Sequence, residues 1–170
     1  RLFSDADGSY PGFDGDSLVR HAEGFDFYTD FAAWDIHRAQ MPLLSLIAPR
    51  EYLDMVTSLI AMAQPGGWLP SSPIRHHHHT ASLGDYASII VGDALMKGVV
   101  TDREKAWEFL RKNCFETTAT PGEYARGMGR RSPGSYLQLG YIPLEDAGPC
   151  AFAPEGQVSR SLEYAVGDWV

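Results

Sequence analysis

The chain has 170 residues, 44% of them hydrophobic and 21% charged, with a formal net charge of -8 at pH 7. That composition fits one ordinary globular domain able to bury a core and excludes a disordered tail. The acidic balance argues against nucleic acid as a partner, because phosphate binding needs clustered Lys and Arg, and no apolar run reaches the roughly eighteen residues of a membrane-spanning helix.

Residues 1–28 are rich in Gly, Asp and aromatics without helical periodicity, which predicts an extended, turn-rich lead-in segment. Arg1 stands first where an initiator Met is expected, and no signal-peptide pattern follows, so a mature, trimmed or partial polypeptide is expected and secretion stays open. The helical body is expected over 29–170. A first helix is predicted from Thr29 or Asp30, either of which can cap it, through Phe31, Trp34, Arg38 and Met41, with Pro42 kinking or breaking it. The segment PREYLDMVTSLIAMA is the clearest helix, with Tyr52, Met55, Val56, Leu59, Ile60 and Ala63 on one face and Gln64, Pro65, Gly66 and Gly67 as its stop.

A third helix is predicted to open on a capping box of Ser82 and Asp85 and to run through Ile89, Ile90, Ala94 and Leu95 to Gly98. A second box, Thr101 with Glu104, precedes a stripe of Trp107 and Leu110. A loop rich in Gly, Pro and Arg is expected over 116–156; it holds Arg126, Arg130 and Arg131, the one local basic group. A last helix is predicted from Val158 into the chain end, where the apolar Trp169 and Val170 suggest truncation. Helices in succession without alternating strands predict an all-α assembly of antiparallel hairpins. Cys114 and Cys150 fit either one disulfide or two thiols.

Several groups could carry chemistry. Trp34, Asp35 and Arg38 combine an indole face with a carboxylate and a guanidinium, groups able to cover an apolar surface and bind hydroxyls; the alternative is a local Asp35–Arg38 ion pair with Trp34 in the core. Trp68, in the turn GGWLP, is either a second platform or a packing residue. His76, His77, His78 and His79 invite a metal reading, but adjacent side chains converge poorly on one ion and no Cys or carboxylate stands at ligand spacing beside them. Asp5, Asp7, Ser9 and Asp16 superficially follow a calcium loop, yet Tyr10 fills the position where Gly is needed, so turn chemistry is expected. Glu163, Tyr164, Asp168 and Trp169 again mix carboxylates with aromatics.

The stretches SDADGSYPGFDGD and GFDFYTDFAAWDIHRAQMPLLSLIAPREYLDMVTSLIAMAQPGGWLP, then GDALMKG and VSRSLEYAVGDW, together resemble the start of the catalytic domain of glycoside hydrolase family 92. The resemblance implies a calcium-dependent, inverting exo-α-mannosidase with an N-terminal β-sandwich on an (α/α)6 barrel, secreted or periplasmic. This chain then supplies the first helices of an incomplete barrel. Its implied partners are a mannose-containing glycan and the remainder of the catalytic domain with its β-sandwich. Inversion needs two carboxyl groups on opposite faces of the sugar. The family carries these in motifs of the forms Glu-Gly-Asn-x-x-Gln-Tyr and Gly-Asn-Asp-Asp, with a calcium-associated Asn-Glu-Pro between them; none occurs here.

No catalytic residue or calcium ligand is therefore expected in this chain. On the resemblance Asp35 matches a sugar-binding Asp, and Trp34, Arg38, Trp68, His78 and Glu163 complete the implied substrate-binding set. His78 occupies the expected position of a Glu, Tyr86 that of a His, Ser72 that of a second Trp, and Val166-Gly167 replaces Tyr-Asp. Two rivals stand beside the mannosidase fragment: a noncatalytic helical carbohydrate-binding or interaction module of the same fold, and a metal-binding helical protein organised on the His run.

Overall fold

A computed structural model describes residues 1–74, 76–79, 83–147 and 153–169. The lead-in is extended and turn-rich, and it also forms a small antiparallel hairpin that the all-α expectation left out. Strand β1 (Ser9–Pro11) pairs with β2 (Val19–His21), Tyr10 opposite Arg20. The aspartates shape its turns: Asp7 Oδ1 accepts from the Ser9 amide at 2.9 Å and Asp16 Oδ1 from the Leu18 amide at 3.1 Å. Those carboxylates serve the backbone, in agreement with turn chemistry over a calcium loop. The segment then lies along the helical body, where the Tyr28 amide donates to Ser58 Oγ at 2.9 Å and the Tyr10 and Phe27 rings stack at 3.9 Å.

The first expected helix is divided. Asp30 adopts a left-handed φ of 57° and Thr29 is buried, so neither caps a helix; α1 is a single turn, Ala33–Ile36, entered from Ala32 without a side-chain cap. After a turn at 37–39, α2 (Gln40–Ile47) starts afresh. Pro42 lies in its first turn, where amides have no intrahelical acceptor and a missing N–H costs nothing. The break thus comes before the proline.

Helix α3 (Pro49–Gly66) follows its predicted periodicity, with Tyr52, Val56, Leu59, Ile60 and Ala63 buried and Met55 packed at the core margin. Pro65 is carried inside the last turn, and Gly67, at φ 72°, supplies the left-handed residue that ends the helix. Helices α4 (Tyr86–Met96) and α5 (Arg103–Phe115) pack on α3 through Ile90, Val91, Ala94, Ala106, Phe109 and Leu110.

Asp85 precedes α4 but makes no capping bond, and Ser82 lies outside the described residues. Asp102, not Thr101, caps α5 by accepting from the Lys105 amide at 3.0 Å. Trp107 is exposed while Phe109 shares the buried face with Leu110. The expected loop at 116–156 contains α6 (Pro121–Ala125), opened by a Thr120–Glu123 capping box, and α7 (Pro133–Leu139). Helix α8 (Gln157–Trp169) closes the described chain.

Arg130 and Arg131 are buried within that connection. Arg130 Nε donates to Asp85 Oδ2 at 3.2 Å and Nη1 to Asp168 Oδ1 at 2.7 Å, while its guanidinium lies 4.8 Å over the Tyr164 ring. Burial opposes the Arg130 charge, but the Asp85 and Asp168 carboxylates outweigh it and raise the pKa. Asp85 also accepts from Ser88 Oγ at 2.7 Å and from Asn113 Nδ2 at 3.2 Å, so one carboxylate joins α4, α5 and the connection to α8.

Candidate functional site

Trp34, Asp35 and Arg38 fall on α1 and the turn after it, and the short helix turns their side chains outward: Trp34 is 57% exposed, and Asp35 and Arg38 are also exposed. Neither half of the local-pair alternative is observed. Trp34 is outside the core, and Arg38 turns from Asp35 to α8, where Nη2 meets Glu163 Oε1 at 3.4 Å. That contact brings together two of the residues marked in the sequence from opposite ends of the chain.

Two further side chains frame the pair. His37, buried, places Nδ1 3.0 Å from the Ala33 carbonyl, so that Nδ1 carries the proton and Nε2 accepts from Arg38 Nε at 3.3 Å. The His37 ring stacks on Tyr86 at 4.7 Å. Tyr86 is buried at the start of α4, and its phenol is pushed up to about 12 by burial and then by the neighbouring Glu163 carboxylate. Gly84 permits this fold-back, because a Cβ there would stand 2.7 Å from the Tyr86 ring. Glu163 Oε2 is buried without a hydrogen-bond partner. A groove of about 340 Å³ opens beside the pair, lined by His37, Arg38, Met41, Ile89, Val166 and Trp169.

Trp68 and His78 lie elsewhere and are enclosed. Trp68 is 2% exposed, with Lys112 Nζ 4.4 Å over its ring and Gly129 against its edge, so it presents no open face to a sugar. His78 is 5% exposed against the edge of Phe13, and neither ring nitrogen has a partner. Burial pushes it down to about 4, so it is neutral near pH 7.

The rest of the His run diverges: His76 packs on Phe3, and His77 reaches toward Asp14 at 3.9 Å. Among the described residues no three His, Cys, Asp or Glu side chains form a set able to hold a metal ion. Calcium therefore finds no ligand set among the described side chains. Cys114 is free, and Cys150 lies outside the described residues.

The arrangement can bind hydroxyls. Arg38 offers N–H donors, Asp35 and Glu163 offer acceptors, and Trp34 offers an apolar face. Periodicity and spacing leave His37 and Tyr86 undistinguished, because nothing in a linear pattern marks which ring of α4 meets α1.

The chain matches the model of the glycosyl hydrolase family 92 catalytic domain over residues 1–170. Among solved structures it is similar to a family 92 α-mannosidase of Bacteroides thetaiotaomicron in complex with mannoimidazole, with 26% identity, 99% of this chain and 20% of that chain covered, and a TM-score of 0.81. A second structure of that enzyme matches with the same values. A family 92 inverting mannosidase of the same organism matches with 30% identity, 99% and 21% coverage, and a TM-score of 0.76. No curated protein matches. The chain thus spans about a fifth of the length of the solved structures it resembles. No described helix is long and apolar enough to cross a membrane.

Proposed function

Because the chain belongs to the glycosyl hydrolase family 92 catalytic-domain family, we propose that it forms the first helices of an (α/α)6 barrel in a secreted or periplasmic exo-α-mannosidase. In that role Trp34, Asp35, Arg38 and Glu163 bind mannose, while the acid and base lie in sequence beyond these residues. The observation that carries this assignment is the Arg38–Glu163 contact at 3.4 Å, with the exposed Trp34 and Asp35 within four residues of Arg38 in sequence. Residues from both ends of the chain meet at one polar, solvent-facing place with sugar-binding chemistry. Trp68 and His78, being enclosed, are left out of the contact set.

Inversion at the anomeric carbon requires a carboxylic acid to protonate the leaving oxygen and a carboxylate to activate water from the opposite face. Arg38 and Asp35 hold hydroxyls of the nonreducing sugar, which restricts its rotation before attack. Trp34 covers the apolar face of the ring. Calcium belongs to this proposal as a requirement of the whole enzyme, with its ligands outside this chain, and the substrate class is α-linked mannose on glycoprotein glycans.

The test is hydrolysis of an aryl α-mannoside, with calcium present, by this chain and by the longer natural polypeptide containing it. Activity in the longer form alone is the expected outcome. Activity in the short chain would assign the chemistry to carboxylates such as Asp35 and Glu163 and overturn the division of roles. Inactivity of both, with mannoside binding retained, would instead establish a noncatalytic carbohydrate-binding module.

A further inference from the structure

Arg38 is 67% exposed at its side chain, and a long, solvated guanidinium held only by its 3.4 Å carboxylate contact would sample many rotamers. A sugar-binding arginine gains affinity when that freedom is removed before the ligand arrives. The structure contains the means. His37 is fixed by its own helical turn through the Ala33 carbonyl, which leaves Nε2 as an acceptor aimed at Arg38 Nε. Tyr86 closes the other side: its ring stacks on His37 and its hydroxyl faces Glu163, the acidic partner of Arg38. The four side chains come from α1 with its following turn, α4 and α8 and form a contiguous group in which Arg38 is the most exposed.

We infer that His37 and Tyr86 are positioning residues of the proposed mannoside site: His37 orients Arg38 through its Nε–H, and Tyr86 braces both His37 and the Glu163 carboxylate. The inference rests on the assignment of Arg38 and Glu163 to the sugar. Glu163 Oε2 is itself buried without a hydrogen-bond partner, and without the Tyr86 hydroxyl beside it the carboxylate would have a wider choice of rotamers. With it, the carboxylate is pinned where it can hold Arg38 and accept a ligand hydroxyl. Both residues act through their neighbours and neither touches the reacting atoms.

The experiment uses the full natural polypeptide and an aryl α-mannoside. Tyr86→Phe keeps the ring and removes the hydroxyl, and His37→Phe keeps the stack and removes the acceptor. Each is expected to raise KM about tenfold with kcat changed less than about twofold, the signature of lost binding common to ground and transition states. In a Glu163→Gln background Tyr86→Phe should add less than about twofold, and His37→Phe should add equally little to Arg38→Met.

A merely structural role predicts a lowered Tm with KM unmoved, or effects that multiply across these pairs; either result overturns the positioning role. If Arg38→Met and Glu163→Gln raise KM while both aromatic variants leave it unchanged, the positioning role fails and the sugar site stands. If Arg38→Met and Glu163→Gln also leave KM unchanged, the sugar-site assignment itself fails and takes the inference with it. The two variants alter different contacts, so the unfolding of one leaves the other as the test.

Discussion

Helix α8 is tied to the rest of the chain by two carboxylate–arginine contacts of opposite character. At Asp168 the partner is Arg130, whose side chain is 1% exposed and which also meets Asp85 and the face of Tyr164. At Glu163 the partner is Arg38, a guanidinium largely in water with a single carboxylate contact. The first contact is enclosed within the fold, Arg130 Nε and Nη1 both meeting carboxylates, and holds α4, α8 and the connection between α5 and α8 together. The second leaves most of the guanidinium donors facing solvent. The same pair of residue types thus serves architecture in one place and, in the proposed site, recognition in the other, and burial of the arginine rather than residue identity separates the two uses.

The largest expected effect breaks the buried contact. Arg130→Met should lower unfolding free energy by about 3–5 kcal/mol in urea denaturation, because Asp85 loses its charged partner inside the protein. A loss under ~1 kcal/mol would erase the distinction between the two contacts.

Next comes a buried group without any partner. His78 titrates at about 4 when folded and near 6.5 when unfolded, so between these values the unfolded chain binds the extra proton. Stability is intact above about pH 6.5 and falls by up to roughly 3 kcal/mol as pH drops to about 4. Urea unfolding across that range should show a shallower slope in His78→Gln.

On α8 itself, a Cβ at Gly167 would lie 3.5 Å from Arg130 Nη2 and 3.6 Å from Ile89, in ordinary contact. Gly167→Ala should therefore stabilise the protein by about 0.5–1 kcal/mol, visible as a raised Tm, by reducing the freedom of the unfolded chain. The smallest stability effect is expected at the exposed contact. Arg38→Met should change unfolding free energy by less than ~0.5 kcal/mol while weakening mannoside binding, and a large loss of stability there would make the Arg38 contact architectural as well.

Local rules were strongest where one helix face meets the core. The three-and-four spacing from Tyr52 to Ala63 located α3, because burial of that face dominates its formation. They were weaker at helix starts. The capping box of Thr120 and Glu123 was present in the sequence but hidden in a segment dominated by Gly, Pro and Arg, and the Asp102 cap lay one residue from the box assigned to Thr101. The break before α2 was legible only in part: Pro42 signals an interruption, yet the turn at 37–39 falls ahead of it.

The sequence by itself determined the family, the helical body, the α3 periodicity and the set of polar and aromatic candidates, because these depend on residue type and short-range spacing. Only the tertiary structure decided which candidates meet. It enclosed Trp68 and His78, turned Arg38 from Asp35 toward Glu163, and brought His37 and Tyr86 beside that pair. The physical reason is that exposure and partnership are set by how helices far apart in the chain pack together, and local spacing along one helix carries no record of what lies opposite it.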